Sequence, residues 1–478
     1  MEYIINGRKP EQFFRFFEDI CAIPHGSGNE KGIADYLVKF ANDRGLFVYR
    51  DSVHNVFIRK EASTGRENDA PILLQAHTDM VCEKNDGTDH DFLTDPLKLY
   101  LDGKYLRARG TTLGADDGAG VALMLAALDG AFESHPVLEC LFTVSEETGM
   151  DGVNNFDFSL VSAKRMLNLD NAELEKAIVG CAGGVRSHVT VKGNRTQASG
   201  TALKISVSGL AGGHSGENIK DGRENANKIM GRILLGLRKK CNYLLSEING
   251  GGKPNAIPRE CKATIVTDDP DTAIEFINKL GSLIAGELGE LDRNFNVICN
   301  KAELPELVFD ADMTKRTVYL LGIVANGVLE MSKRIEGFVE YSRNQGVIKT
   351  KDDGVEFLFF ARSAIDAQLE ASNCEIEALA ELCGAEVYYA EQYHGWDYEP
   401  ESKLREEYIE SYKAITGKDL EICAIHAGLE CGIVKAAIPD IDILAIGPNE
   451  LDIHSPDEAL DLDSAETLCE IVNDLLKK

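Results

Sequence analysis

Four short apolar runs constrain the fold of this chain more than any other feature of its sequence. They are PILLQA (71–76), VLECLFTVS (137–145), RMLNLD (165–170) and IDILAIGP (441–448). Continuous apolar runs of this length are typical of strands buried on both faces of a parallel sheet. Segments with helical periodicity alternate with them, as at 11–20, 30–43 and 118–128. We therefore predict an α/β domain with a mostly parallel sheet and helices on both faces.

The middle of the chain has a different character. Longer strands with alternating faces, such as 201–210 and 355–364, are each followed by a helical stretch, and the α/β pattern returns after residue 402. A length of 478 residues also exceeds what one hydrophobic core usually supports. We predict a discontinuous first domain over 1–185 and 399–478, with an α+β domain inserted at 186–398.

Charge and composition exclude several classes of partner. The chain carries 50 Lys and Arg against 79 Asp and Glu, a net charge of −29, which repels nucleic acid and anionic membranes. No stretch approaches the roughly 18 apolar residues that a membrane-spanning helix needs, and the first residues lack a signal-peptide pattern. Twelve cysteines without any CxxC pair indicate reduced thiols. We expect a cytoplasmic protein.

Side chains capable of chemistry end or follow each of the four apolar runs. They are His77, the pair Glu146 and Glu147, Asp170, and His454. Because the carboxyl ends of parallel strands meet at one edge of a sheet, these side chains can converge. Asp116 lies in the turn GADDGAG, whose glycines let a carboxylate be presented close to backbone. Two imidazoles and several carboxylates without thiolates favour a catalytic zinc, cobalt or manganese site.

Neighbouring residues have the positions that supporting roles require. Asp79 is placed to accept the second ring N–H of a metal-bound His77. Of the adjacent Glu146 and Glu147, at the frayed end of a strand, one can bind metal while the other takes a proton from water. Ser27 and Glu30 have the spacing of a capping box before the helix at 30–43. The turn GADDGAG does not match G-x-G-x-x-G, so we expect no nucleotide cofactor.

Several motifs of the chain resemble those of a known family. HTDM (77–80), GADD (114–117), SEETG (145–149), NLD (168–170) and the late His454 are similar, in order and spacing, to the M20-type metallopeptidases. That family includes carboxypeptidase G, succinyl-diaminopimelate desuccinylase and carnosine-type dipeptidases. The resemblance spans the whole chain. KPNAIPREC (253–261), HAGLECG (426–432) and the long insertion most resemble the aminoacyl-histidine (Xaa-His) dipeptidases of that family.

The resemblance implies a set of roles for the first domain, which becomes the catalytic domain. Two Zn²⁺ ions, replaceable by Co²⁺ or Mn²⁺, are bridged by Asp116. His77 and Asp170 bind one ion, and Glu147 and His454 bind the other. Glu146 is the general base for a water activated by both ions. A cis peptide bond between Asp116 and Asp117 is also implied. Gly118 departs from the Lys that often follows the second aspartate in relatives.

The inserted domain resembles the family's lid. GGHSGENI (212–219) matches the segment whose histidine reaches the scissile carbonyl, which implies that His214 stabilises the oxyanion. Arg362 matches an arginine that holds a substrate carboxylate. A further substrate contact is expected at Asn255. His426 and Glu430 are expected either to line the substrate site or only to support it. Relatives with smaller lids take the equivalent histidine from a partner subunit, so a homodimer, and either source for His214, stay open.

The expected function is hydrolysis of dipeptides, including carnosine-like Xaa-His dipeptides, with a small peptide as the substrate. The metal ligands do not encode substrate length, so a tripeptidase, an aminopeptidase or an N-acyl amino acid deacylase on the same scaffold remains an alternative. A non-catalytic, metal-dependent binding or assembly protein is a more distant one. Glu146 argues against it, because a binding protein needs the metals but no general base.

Overall fold

The computed structural model describes residues 3–478, and their contacts divide into two compact units. Unit 1 consists of the chain up to Gly180, Tyr398–Ala424 and Leu429–Lys478, and unit 2 consists of Cys181–Asp397 and Ile425–Gly428. The domain boundaries expected from the sequence place residues 425–428 in the first domain, whereas their contacts group them with unit 2. No helix in residues 3–478 is both long enough and apolar enough to cross a membrane.

The helices and strands have the following bounds. The helices are α1 (Glu11–Cys21), α2 (Lys31–Asp43), α3 (Ala115–Leu128), α4 (Glu146–Gly149), α5 (Asp151–Asn155), α6 (Ala226–Leu237), α7 (Pro270–Ala285), α8 (Ala311–Ile323), α9 (Asp366–Leu382), α10 (Lys403–Thr416), α11 (Glu430–Ala437) and α12 (Leu462–Leu475). The strands of the first half are β1 (Phe47–Arg50), β2 (Val56–Lys60), β3 (Ile72–His77), β4 (Leu99–Asp102), β5 (Tyr105–Ala108), β6 (Leu138–Thr143), β7 (Arg165–Asn168), β8 (Lys176–Cys181), β9 (Gly183–Lys192), β10 (Arg195–Gln197), β11 (Thr201–Ser208) and β12 (Gly213–His214). The later strands are β13 (Leu244–Gly250), β14 (Ala256–Ile257), β15 (Cys261–Thr267), β16 (Asn296–Lys301), β17 (Leu307–Phe309), β18 (Gly327–Met331), β19 (Val339–Thr350), β20 (Gly354–Ser363), β21 (Ala385–Tyr393), β22 (Glu421–Ile425), β23 (Asp442–Ala445), β24 (Glu450–Leu451) and β25 (Ala459–Asp461).

The main sheet of unit 1 is mixed, with a parallel centre. Its strand order is β1-β2-β6-β3-β7-β23-β8-β22. The four central strands, β6, β3, β7 and β23, are parallel. The flanking strands β1, β2 and β8 pair antiparallel. Every residue of β3 and β6 is buried, which is why their sequences are continuously apolar. The predicted α/β class is confirmed, with parallel pairing among the four central strands.

The strand register determines which carboxyl ends lie side by side. His77, the last residue of β3, pairs with Thr143, the last residue of β6, and Gln75 pairs with Asn168, the last residue of β7. The residues that follow these strands therefore leave the sheet at the same edge. A second sheet, in the order β24-β25-β5-β4, pairs Ala459 with Arg107 and so joins the end of the chain to the segment before α3.

Unit 2 is built on an antiparallel sheet. Its order is β16-β11-β15-β13-β19-β20-β9-β21, with β18 beside β19. Alternate residues of β9 and β11 are buried, as the sequence pattern predicts for a sheet with one covered face. The helices α6 to α9 supply apolar side chains to the same core as the strands, for example Ile233 and Ile277 together with Ile205 and Phe357.

Close packing of α3 on the parallel strands depends on Gly120. A Cβ atom there would lie 2.7 Å from Leu169 Cβ, 3.0 Å from Ala76 Cβ and 2.3 Å from Asp117 Oδ1. Gly120→Ala should therefore lower the free energy of unfolding by about 1–3 kcal/mol, measured by urea denaturation. Gly118→Ala is the matched control, because its nearest neighbour is a Phe17 ring carbon at 3.4 Å. Equal stabilities of the two variants would contradict this account.

Candidate active site

Two groups of potential metal ligands in unit 1 share Asp116. His77, Asp116 and Asp170 form one group, and Asp116, Glu147 and His454 form the other; in each, the donor atoms lie within 4.8 Å of one another. Asp116 uses a different oxygen for each group. Its Oδ1 lies 2.9 Å from Nε2 of His77, and its Oδ2 lies 3.2 Å from Nε2 of His454. The structure thus brings together all five metal ligands expected from the sequence.

The chemistry of these donors fits divalent metal ions. Each group combines one imidazole nitrogen with carboxylate oxygens, which is a donor set typical of catalytic zinc sites. Within each group the atoms are already close, since Glu147 Oε1 lies 2.9 Å from His454 Nε2 and Asp170 Oδ1 lies 3.9 Å from His77 Nε2. A carboxylate shared by two such groups is suited to lie between two ions.

Glu146 belongs to neither of these groups. A third cluster joins it with His77 and Glu147, so its carboxylate lies close to the centre without being grouped with Asp116. The two glutamates do not lie at a frayed strand end, as the sequence suggested. Instead β6 ends at Thr143, Ser145 adopts a left-handed conformation with φ of 57°, and Glu146 and Glu147 begin the short helix α4. Although they occupy successive positions of this turn, a carboxylate oxygen of each lies within 4.8 Å of the other and of a ring nitrogen of His77.

Asp79 links the loop after β3 to this turn. Its carboxylate accepts the amide N–H groups of Glu146 at 3.0 Å and Glu147 at 3.3 Å, and the hydroxyl of Ser27 at 2.8 Å. Nδ1 of His77 lies 3.0 Å from the main-chain oxygen of Asp79 and 3.6 Å from its carboxylate. Of these two oxygens, the one nearer to Nδ1 is therefore the backbone carbonyl, not the carboxylate expected from the sequence. Since a carbonyl only accepts, Nδ1 carries a proton and Nε2 faces Asp116.

The structure of residues 3–478 does not contain the capping box expected at Ser27 and Glu30. The helix α2 starts at Lys31, with Glu30 as its N-cap and no side-chain cap hydrogen bond. The prediction was wrong because the Ser27 hydroxyl donates to Asp79 instead. The spacing of Ser27 and Glu30 fits a capping box, but the hydrogen-bond partner of the Ser27 hydroxyl is Asp79, 52 residues away along the chain.

The turn that carries Asp116 is held by Glu458, which the sequence did not reveal as a site residue. The Glu458 carboxylate accepts three consecutive amide N–H groups, those of Leu113 at 2.6 Å, Gly114 at 3.0 Å and Ala115 at 2.7 Å. Gly114 has a φ of 69°, which favours glycine. The Asp116–Asp117 peptide bond is cis, as the resemblance implies. The only sequence signal was the position of Glu458 four residues after His454.

Crowding of carboxylates perturbs their protonation. Burial raises the pKa of Glu146 well above its usual range, and burial together with the nearby Asp116 raises the pKa of Asp170 to about 8. Hydrogen bonds with Asp116 and Glu147 raise the pKa of His454 to about 10. Although burial opposes it, hydrogen bonds from His454 and His77 hold the pKa of Asp116 well below its usual range. Such crowded charge favours cations at the centre.

In unit 2 the structure places His214 in a small antiparallel pairing with the segment after Asn255. His214 pairs with Ala256, and the Asn255 carbonyl accepts the amide N–H of Ser215 at 2.8 Å. The amide of Glu217 donates to Nδ1 of His214 at 3.4 Å. Burial and the charge of Arg362 lower the pKa of His214, so the ring is neutral near pH 7 and its Nε2 carries the proton.

Arg362 and His426 also lie in unit 2. Arg362 is 5% exposed, and its Nη1 donates to the hydroxyl of Tyr393 at 3.0 Å. The Ser342 hydroxyl, on the strand beside Arg362, lies 2.7 Å from Nε2 of His426. Burial, followed by the charge of Arg362, lowers the pKa of His426 to about 3. The two side chains therefore share one electrostatic environment, in which Arg362 is the cation and His426 is neutral.

Glu430 does not have the exposure that a substrate contact requires. It lies in unit 1 with no exposed surface, and its carboxylate accepts hydrogen bonds from Gln75 and Thr143. Burial raises its pKa to about 7. The sequence motif HAGLECG thus separates into two environments, with His426 beside Arg362 in unit 2 and Glu430 in the core of unit 1.

Comparison with known proteins agrees with this geometry. The model of peptidase family M20/M25/M40 matches residues 73–478. The chain belongs to this family. It is 37% identical over 473 residues to the cytosol non-specific dipeptidase of Escherichia coli (strain K12), covering 98% of each protein.

Solved structures show the same relationship. The aminoacylhistidine dipeptidase of Vibrio alginolyticus superposes with a TM-score of 0.92 at 37% identity, covering 98% of this chain and 97% of that one. A tripeptidase from Staphylococcus aureus has a TM-score of 0.57 at 16% identity, covering 98% of both chains. The second similarity is one of fold alone.

Metal binding should release protons. In protein stripped of divalent ions, His77 and His454 have raised pKa values and carry protons that a metal-bound imidazole must lose. We expect about two to three protons per chain to be released on zinc binding at about pH 7.5, because Asp170, whose pKa is about 8, must also lose its proton. The affinity for zinc should rise as the pH rises. Calorimetry in buffers of different ionisation enthalpy measures this number. His454→Asn should release about one proton fewer. Enthalpies independent of the buffer would contradict the expectation.

Proposed function

We propose that this protein is a dipeptidase that uses two zinc ions and accepts Xaa-His dipeptides among its substrates. The observation that carries the proposal is the pair of ligand groups that share Asp116, with the carboxylate of Glu146 beside them. Its dipeptidase relatives support the substrate class, since the chain covers nearly their whole length.

His77, Asp116 and Asp170 would hold one ion, and Asp116, Glu147 and His454 the other. When bound, the two ions supply a water activated as the nucleophile and polarise the scissile carbonyl. Asp79 orients this centre, because it binds the turn of Glu146 and Glu147 and supplies the carbonyl that faces His77. Co²⁺ and Mn²⁺ suit the same donors.

Glu146 is the proposed general base. Its carboxylate lies beside His77 and Glu147 but is not grouped with Asp116, which leaves it available for proton transfer. It would accept a proton from the attacking water and donate that proton to the leaving amine. A buried carboxylate with a raised pKa is suited to hold a proton between these two events.

Unit 2 would supply the groups that bind the peptide. His214, neutral with its proton on Nε2, is suited to donate a hydrogen bond to the carbonyl oxygen as negative charge develops there. Arg362 is suited to bind the terminal carboxylate, with His426 and Asn255 as further contacts. A requirement for that carboxylate would favour short substrates. Whether the protein forms a homodimer stays open, as it does from the sequence.

Replacing the general base should separate catalysis from metal binding. Glu146→Gln keeps the size of the side chain but cannot accept the proton, so kcat should fall roughly 10²–10⁴-fold while two zinc ions stay bound. Steady-state kinetics and metal analysis of the same preparation test this. Glu147→Gln is the matched control, and it should lose metal. Activity retained in Glu146→Gln would refute its role as the base.

A substrate panel tests the proposed specificity. We expect turnover of dipeptides, including β-alanyl-histidine, and little turnover of tripeptides or acetylated amino acids. Amidation of the dipeptide carboxyl group should lower kcat/KM by roughly 10–100-fold, the loss of a charged hydrogen-bond pair. In Arg362→Met this difference should disappear. Comparable turnover of tripeptides would instead support a tripeptidase.

A further inference from the structure

A row of buried polar side chains lies within the sheet of unit 1, just before the ligand-bearing ends of β6, β3 and β7. The row consists of Thr143, Gln75, Asn168 and, from α11, Glu430. None of the four has any exposed surface. Gln75 and Asn168 each precede a candidate metal ligand by two positions. The proposed reaction uses none of the four side chains, and uncompensated polar groups are costly in such a core.

The hydrogen bonds along this row have one direction. The amide N–H of Asp170 donates to Asn168 Oδ1 at 3.3 Å, so the Asn168 side chain must use Nδ2 toward Gln75, whose Oε1 lies 2.7 Å away. The Gln75 side chain then has only its NH₂ group for the next partners. Its Nε2 donates to the carboxylate of Glu430 and to Thr143 Oγ1 at 3.2 Å.

Glu430 is the last acceptor in this series of hydrogen bonds. Its Oε2 accepts from Gln75 Nε2 and from the Thr143 hydroxyl at 2.7 Å. Its Oε1 has no hydrogen-bond partner in the described part of the chain. The Glu430 carboxylate therefore joins β3 and β6 directly, and it joins β7 through Gln75 and Asn168.

We propose that Glu430 is a positioning residue for the metal centre. As the terminal acceptor, it holds the side chains of Gln75 and Asn168 in one orientation and keeps β3 and β7 aligned. His77 and Asp170, each two residues further along the chain, then stay at the separation that one divalent ion requires. This role rests on the proposed metal centre. Of the two roles that the sequence leaves open for Glu430, substrate contact and support, this is the supporting one.

Two substitutions at Glu430 separate acceptance of hydrogen bonds from negative charge. Glu430→Gln keeps an oxygen that can accept from Gln75 and Thr143, whereas Glu430→Leu has a similar size and no acceptor. We expect Glu430→Leu to bind zinc roughly 10–100-fold more weakly, as is usual when support for a metal ligand is lost. Its kcat should fall while KM is unchanged. Glu430→Gln should keep most of the affinity, measured by competition with a chromogenic chelator.

Glu139→Leu is the matched control. Glu139 lies on β6, has no exposed surface, and accepts hydrogen bonds from Ser162 and Ala163 through both carboxylate oxygens. The Glu139→Leu variant should lower the free energy of unfolding as Glu430→Leu does, yet leave the affinity for zinc unchanged. An equal loss of zinc affinity in Glu139→Leu would overturn the proposal, because the effect would then be one of general stability. Equal losses in Glu430→Gln and Glu430→Leu would overturn it as well.

Reversing the direction of the hydrogen bonds along the row gives a second test. This test does not require the Glu430→Leu variant to fold. Asn168→Asp removes the Nδ2 donor, so Gln75 must turn its NH₂ group toward position 168 and its oxygen toward Glu430 and Thr143. Two acceptors then face each other, and zinc affinity should fall. Adding Glu430→Gln supplies an NH₂ donor at that position and should restore part of the affinity. Additive losses in the double variant would overturn the proposal.

Zinc binding by the wild-type protein distinguishes failure of the proposed metal centre from failure of the proposed role of Glu430. Wild-type protein that binds no zinc ions would overturn the metal centre, and the role of Glu430 with it. Wild-type protein with two zinc ions, together with wild-type affinity in Glu430→Leu, would overturn only the role of Glu430.

Discussion

The close approach of carboxylates around Asp116 is the constraint on which the rest of this structure depends. Asp116 meets His77 through one oxygen and His454 through the other, and Asp170 and Glu147 lie within the same few ångströms. Like charges do not stay together in a protein interior without compensation. The imidazoles compensate part of the charge, and a divalent ion in each group would compensate the rest. The surrounding elements can be understood as the means of holding this arrangement.

Two different structural devices bring the ligands together. Parallel pairing delivers His77 and the residues after β6 and β7 to one edge of the main sheet, as is general for open α/β sheets. His454 arrives differently, because the small sheet containing β25 and β5 joins the end of the chain to the segment before Asp116. Glu458 then binds the turn of Asp116 through three amide groups. Ligands from opposite ends of the chain thus depend on one carboxylate.

Much of the fold and the ligand set could be predicted because their signals are local. An apolar run followed at once by His77 or Asp170 is visible in a few residues. The roles of Glu458 and Ser27 could not be predicted, since their partners are distant in sequence and follow no periodic pattern. Strands of two to four residues, such as β24 and β25, are too short for periodicity to reveal. The motif around Glu430 identified an important residue but not its burial, which only the packing of α11 determines.

Residues 425–428 give the chain an unusual modular organisation. They belong to unit 2, where the carbonyls of Ile425 and Ala427 accept the amide of Ala182 and the His426 ring meets Ser342. Unit 2 is therefore encoded by two separate stretches of sequence, one long and one only four residues in length. Recombination that moved only the long stretch into a homologous gene would combine it with the recipient's own residues 425–428. His426 of the donor would not be transferred with the rest of unit 2. Inheritance of unit 2 as an intact whole requires both stretches to be exchanged, or to diverge, together.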